Sequence, residues 1–133
     1  MNINLIKLLL QLKNASLVKK ETVIFNCNLL CLELLKLLYN EGFIQSFKIE
    51  YKSLSNSEKQ FQTTIMLRYS YNKPALKTLK IISTPAHSKY LTFKDISKVQ
   101  NRKNILFLST NKGLLTGMQC KKNKIGGTLL FVA

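Results

Sequence analysis

Residues 105–133, ILFLSTNKGLLTGMQCKKNKIGGTLLFVA, decide how the second half of this chain is read. Four consecutive apolar residues, Ile105 to Leu108, have the length of a buried strand. They run straight into Ser109-Thr110-Asn111-Lys112-Gly113, two hydroxyls, an amide, a cation and a glycine. A short helix is expected from this tip to about Lys122, and Gly126-Gly127 lead into a strand over Leu129 to Val132. A tight tip after a buried strand is held rigidly, and Gly113 lets the backbone come close to a partner. Ser109 and Thr110 both donate and accept hydrogen bonds, and Lys112 adds a phosphate contact. The following helix is expected to present backbone N–H groups at its start, with Lys121, Lys122 and Lys124 just beyond it. Such a tip suits the wide, shallow minor groove of RNA. Hairpin turns and helix caps use the same residue types, so a purely structural tip is the alternative at this point.

Working upstream, Tyr71-Asn72-Lys73-Pro74 marks a change of character and divides the chain into residues 1–72 and 73–133. In the second part, Leu79 to Ile82 reads as a strand, Ser83-Thr84-Pro85 as a turn, and Phe93 to Gln100 as a short helix capped by Thr92. In the first part, Ile3, Ile6, Leu9, Leu10 and Lys13 follow helical spacing from Asn2 to about Asn14. Val23-Ile24-Phe25 is a strand candidate. NCNLLCLELLKLLYNEG reads as a helix capped by Asn26 or Asn28, with Leu30, Leu34, Leu37 and Leu38 on one face and Gly42 as its stop. Phe43 to Tyr51 and Gln60 to Tyr69 alternate as strands, with Lys52 to Lys59 a polar loop between them. The expected class is α/β in the α+β sense: N-terminal helices with a small sheet, then a β-rich half with short helices.

The 133 residues carry a formal charge of +15. In residues 1–58 seven Lys face five Glu, a net of +2; from Lys59 onward fourteen Lys and Arg face the single acid Asp95, a net of +13. A charge run is ordinarily a solvated face, but so lopsided a half implies an anionic partner. The longest run without a formal charge is the eleven residues Thr22 to Leu32, against about 20 for a spanning helix, so no membrane insertion is expected. The first twenty residues are amphipathic and acid-free, as in a mitochondrial targeting helix. They contain no Arg and only two Lys before Lys19, and read instead as the first helix of the fold.

Three cysteines, an odd number, fit a reducing compartment, and Cys27, Cys31 and Cys120 read as small buried hydrophobes. A zinc site would need about four ligands, and beyond Cys27 and Cys31 only Cys120 and the sole histidine, His87, remain. No catalytic triad or Gly-rich phosphate loop is present and the acids are isolated, so the reading is a non-enzyme without cofactor, metal or small-molecule substrate.

The order S-T-x-K-G, two aliphatics and Thr, a basic stretch, and Gly-Gly before an apolar strand resembles the small-subunit ribosomal protein eight family of bacteria and organelles. Asn40-Glu41-Gly42-Phe43-Ile44 followed by Phe47-Lys48-Ile49 resembles that family's E-E-G-F-I segment. Pro85 and Tyr90 fall where it has a proline and a tyrosine, and Leu12-Lys13-Asn14 resembles its I-R-N. The family's glutamate after Gly-Gly is Thr128 in this chain, and the third tip position is Asn111 rather than serine. The resemblance implies a two-domain fold, binding to the central domain of small-subunit ribosomal RNA, a role in subunit assembly, and small-subunit proteins five and twelve as neighbours. It implies that Ser109, Thr110, Asn111, Lys112 and Gly113 enter an RNA groove near Tyr90, while Lys13 and Asn14 meet a second RNA strand. A free-standing regulator of messenger or intron RNA is the alternative. Abundant Lys, Asn, Ile, Leu and Phe with no Trp is the bias of A·T-rich coding, which points to a mitochondrial protein, with a plastid one as runner-up.

Overall fold

The computed structural model describes residues 3–51, 61–76, 78–99 and 104–133. They form two compact units, residues 3–77 and 78–133. The expected loop Lys52 to Lys59 lies outside the described residues. The class is α+β, as the sequence implied.

The first unit contains α1 (Ile3–Leu17), β1 (Thr22–Cys27), α2 (Leu29–Asn40), β2 (Ile44–Tyr51), β3 (Phe61–Leu67), β4 (Tyr69–Ser70) and β5 (Lys73–Pro74). The main sheet is antiparallel in the order β1-β3-β2. Val23 and Cys27 on β1, and Thr63, Ile65 and Leu67 on β3, alternate inward with the period of two that a one-sided sheet demands. Both helices pack on the sheet and on each other. Leu34, Leu35 and Leu38 on α2 are fully buried, each contributing about 1.5–3 kcal/mol of transfer free energy.

The buried stripe of α1 is Leu5, Leu8, Leu9, Leu12, Ala15 and Ser16, not the expected stripe from Ile3 to Lys13. Ile3 and Leu10 are exposed and Lys13 is half-buried. So many positions of this helix are apolar that two faces satisfy the same periodicity, and packing selects the one richer in leucine. A hydroxyl joins the core because Ser16 donates to the Leu12 carbonyl one turn back, at 2.8 Å. The helix also outlasts the expected end at Asn14. Lys19 takes a left-handed conformation (φ 56), and the Lys19 and Lys20 N–H groups close on the carbonyls of Ser16 and Ala15. The same closure ends α2: Gly42 (φ 81) and Phe43 donate to Tyr39 and Leu38. Of the two candidate caps of α2, Asn28 accepts from the Cys31 N–H at 2.9 Å. The change of character at residues 71–74 is a small hairpin, β4 with β5, whose two-residue turn is Tyr71-Asn72 at φ 50 and 62.

The second unit contains β6 (Lys80–Ile81), β7 (Lys89–Leu91), α3 (Phe93–Val99), β8 (Leu106–Thr110), β9 (Gly113–Thr116), α4 (Gly117–Asn123) and β10 (Gly127–Val132). Its antiparallel sheet runs β6-β10-β8-β9, and β7 also pairs with β10. Leu91, Ile96, Leu106, Leu108, Cys120 and Leu129 form one core cluster. Phe107 and Phe131, paired across β8 and β10, stack at 4.4 Å. Buried Ser83 ties the sheet together, donating to the Leu129 carbonyl and accepting from the Lys89 N–H.

Three expectations need correction in this unit. The strand Leu79 to Ile82 shortens to Lys80–Ile81, and β7 has no counterpart among the expected elements. The segment after the tip is not helical at once: β9 intervenes, with Leu114 and Thr116 buried, and α4 starts only at Gly117. The adjacent pair Leu114-Leu115 gives no alternation to reveal a strand. The last strand begins at Gly127, two residues before its first leucine.

All three cysteines are free and buried. Among the described residues, no helix is long and apolar enough to cross a membrane, and no group of three or more His, Cys, Asp or Glu is placed to hold a metal ion.

Candidate nucleic-acid interface

The expected tip is the turn of the β8–β9 hairpin, with Thr110 paired to Gly113 and Asn111-Lys112 between them. Gly113, at φ 103, supplies the left-handed residue that follows such a turn, where a side chain would be strained. Thr110 braces the turn from inside. Its Oγ1 donates to the Gly113 carbonyl at 2.8 Å and accepts the Lys112 N–H at 3.2 Å. Ser109, Asn111 and Lys112 are exposed.

Strand register brings distant residues together. Thr128 on β10 pairs with Tyr90 on β7 and with Ser109 on β8, so the three stand in a row across neighbouring strands. Directly paired residues share a sheet face, with Cβ atoms about 4.5–5.5 Å apart. Above this row the chain is pared down to Gly126 and Gly127. A Cβ on Gly127 would lie 2.6 Å from the Ser109 carbonyl oxygen and 2.8 Å from Thr110 Cγ2. One on Gly126 would lie 2.6 Å from the Leu91 carbonyl oxygen and 3.1 Å from the Tyr90 hydroxyl. The missing side chains leave a concavity of about 390 Å³ lined by Tyr90, Ser109, Thr110, Asn111, Gly126 and Gly127. Tyr90 is 64% exposed beside it.

The structure therefore gathers Tyr90 with Ser109, Thr110 and Asn111, and places Lys112 and Gly113 in the same hairpin. Lys121 and Lys122 occupy the last turn of α4, and Lys124 caps it at φ 56. There they also oppose the negative end of the helix dipole. Lys13 and Asn14 lie on α1 of the first unit. Of the expected N–H groups at the start of α4, that of Gln119 is taken up by a capping box. Thr116 Oγ1 accepts from the Gln119 N–H at 3.4 Å, and Gln119 Oε1 accepts from the Thr116 N–H at 3.1 Å.

Asp95, the one acid of the basic half, is engaged at the start of α3. Its Oδ2 accepts from the Thr92 hydroxyl at 2.9 Å and from the Thr92 N–H at 3.3 Å. These bonds, helped by Lys98, hold its carboxyl below the ordinary carboxylate range. In the sequence Gly126 and Gly127 read only as an approach to a strand, and strand pairing makes them, with Thr128, part of the site. Paired glycines at the start of an apolar strand are the signal of a close backbone approach.

Fold and site together define a small, basic, two-unit α+β protein with a hydroxyl-tipped hairpin over a glycine-lined hollow. The sequence profile of the Ribosomal protein S8 family matches residues 4–132. The chain belongs to that family. It is 33% identical over 123 residues to small ribosomal subunit protein uS8 of Borrelia hermsii, covering 92% of this chain and 90% of that protein. Over 123 residues it is 36% identical to uS8c of Tupiella akineta, covering 92% and 91%. With uS8m of Acanthamoeba castellanii it shares 38% identity over 111 residues, covering 82% and 81%.

Proposed function

We propose that this chain is a structural constituent of a small ribosomal subunit, binding the central domain of small-subunit RNA and helping that subunit assemble. The observation that carries this reading is the row Tyr90–Thr128–Ser109, which ends at the Thr110-Asn111-Lys112 turn in a half with a net charge of +13. In it, Ser109 and Asn111 offer donors and acceptors to the edge of an RNA minor groove, and the shallow hollow accommodates the sugar-phosphate ridge without deep insertion. Tyr90 packs its ring on a sugar or base, and Lys112, Lys121, Lys122 and Lys124 meet phosphates, which fix register but carry no sequence information. Lys13 and Asn14 on α1 contact a second RNA strand. Proteins five and twelve of the small subunit are its neighbours.

Relatives of bacterial, plastid and mitochondrial type all fall near the same identity, so identity alone does not choose the compartment. The A·T-rich composition favours the mitochondrial ribosome. The test is sedimentation of the tagged chain from its native cell in a high-salt gradient, with and without S109A. Co-migration with small subunits supports the proposal. Recovery only in light fractions, bound to messenger or intron RNA, replaces it with the regulator.

A further inference from the structure

The first unit carries a second open concavity, of about 680 Å³, where α2 ends and β3 leaves its sheet. Tyr39, Asn40, Gly42, Gln45, Arg68 and Tyr69 line it. Its volume falls within the roughly 300–1,000 Å³ of small-ligand clefts.

Three planar groups there are each fixed from behind by a separate contact. The Tyr39 ring meets Phe47 edge-on, with centroids 6.2 Å apart at 80°. Arg68 Nη1 donates to the Gly42 carbonyl at 3.3 Å. The Tyr69 phenol donates to the Lys20 carbonyl. Partial burial and then the charge of Glu21 push the Tyr69 phenol up, so this donor persists across the neutral range. Gly42 keeps space for the guanidinium, since a Cβ there would stand 3.0 Å from Arg68 Nη1. Groups already held in place lose less freedom when a ligand arrives.

A core has no need of this assembly: Tyr39 is 52% exposed, and Asn40, Gln45 and Arg68 are exposed beside it. A free phosphate would use the guanidinium but neither ring, and an acidic peptide would likewise leave the rings idle. An unstacked nucleobase with its phosphate uses a ring, the amides and the guanidinium together. Its π-face stacks on a phenol ring, its edge meets the Asn40 and Gln45 amides, and Arg68 takes the flanking phosphate or stacks in turn. We propose that this concavity takes one unstacked base, with its phosphate, from a single-stranded RNA segment. The inference rests on the RNA-binding reading above, yet uses another unit and other residues.

The test uses the full chain at about 200 mM salt, where purely ionic binding is weakened. Two probes are compared: a base-paired stem, and a single-stranded oligoribonucleotide carrying the photoreactive base 5-iodouridine. Tyr39→Leu is expected to lower single-strand affinity about 5- to 150-fold, the scale of removing one ring from beneath a stacked base, while leaving stem affinity unchanged. Arg68→Gln is expected to act in the same direction, and irradiation of the unsubstituted protein to place the cross-link on Tyr39 or Tyr69. Ser109→Ala should show the reverse selectivity. Unchanged single-strand affinity in both folded variants overturns the inference, as do cross-links confined to other segments or displacement by an oligoglutamate peptide in preference to RNA. Cross-linking needs no substitution, so its position on the chain decides the question even where a variant fails to fold. Loss of stem binding by the unsubstituted chain would instead overturn the ribosomal reading itself.

Discussion

Ser109 and Thr110 are neighbours of like chemistry, but the hairpin gives them opposite work, and substituting each alone should separate stability from recognition. Thr110→Val keeps the shape of the side chain and removes two hydrogen bonds, to the Gly113 carbonyl at 2.8 Å and from the Lys112 N–H at 3.2 Å. Each is worth about 0.5–1.5 kcal/mol net. The released groups sit at a half-buried tip where water can replace the hydroxyl, so the pair together should cost about 1–2 kcal/mol. Ser109 is exposed, and its change to Ala should move stability by no more than about 0.5 kcal/mol. If Ser109 meets an RNA groove as proposed, its loss should appear in the complex, where the groove partner would be left buried and unpaired at a cost of about 1–3 kcal/mol, or about 5- to 150-fold in stem affinity. Non-specific binding rests on phosphate charge and should barely change. Urea melts of the free proteins and anisotropy titrations with stem and scrambled RNA at one salt concentration measure both quantities. If Ser109→Ala melts the protein while stem affinity holds, or if Thr110→Val leaves the melt unmoved, the division of labour is refuted.

Gly127→Ala places a Cβ 2.6 Å from the Ser109 carbonyl oxygen, 0.4 Å inside the 3.0 Å that such contacts ordinarily respect, so β8 and β10 must part beside the tip. A loss of about 1–3 kcal/mol in thermal or urea unfolding, with weakened stem binding, is expected; an unchanged protein would mean that the strands are not in close approach. Neutralising Lys121, Lys122 and Lys124 to Gln should reduce the slope of log affinity against log salt by about 0.7–0.9 for each phosphate no longer neutralised, read from titrations across a salt series. An unchanged slope removes them from the interface. At α3, the folded-state pKa of Asp95 lies below its unfolded value, so the Thr92–Asp95 cap contributes fully above the usual carboxylate range and is lost as pH falls through the lower folded value. Thr92→Ala should therefore destabilise the chain at pH 7, and its deficit against the parent should shrink on acidification below about pH 4, in paired urea melts.

The parts of the fold that sequence reveals are those where a local rule and the core agree. Helix α2 is one: Asn28 caps it, the expected Leu34, Leu37 and Leu38 are buried on one side while Leu30 is half-buried, and Gly42 closes it with the positive φ that glycine adopts at no cost. The β8 strand and its turn are another, because Gly113 must follow Asn111-Lys112. Reading failed where either level was silent. Helix α1 is apolar enough to offer two faces, so only packing could choose. The αL positions at Lys19, Tyr71 and Lys124 close two helix ends and a hairpin turn with residues that seldom adopt this conformation, and no sequence rule expects them there. Strand β7 is three residues long and exists because β10 lies beside it. In the candidate site the tip was legible as a local motif. Its floor was not, because Gly127 and Thr128 matter through strand pairings that span 19 to 38 residues, and Gly126 through its close approach to Leu91.

Strand β10 has a consequence for the order of events during synthesis. It lies against β6, β7 and β8, so residues emerging from Thr78 onward have no sheet to join until Gly127–Val132 follows them. The first unit has all its strands by Pro74 and can fold while translation continues. A polypeptide interrupted before Gly127 would thus carry a finished first half and a hairpin with no floor beneath it. It would lack the Tyr90–Thr128–Ser109 row. Full-length translation thereby becomes a condition for completing the candidate site, and if that site binds RNA as proposed, prematurely terminated chains would be screened out without any separate inspector.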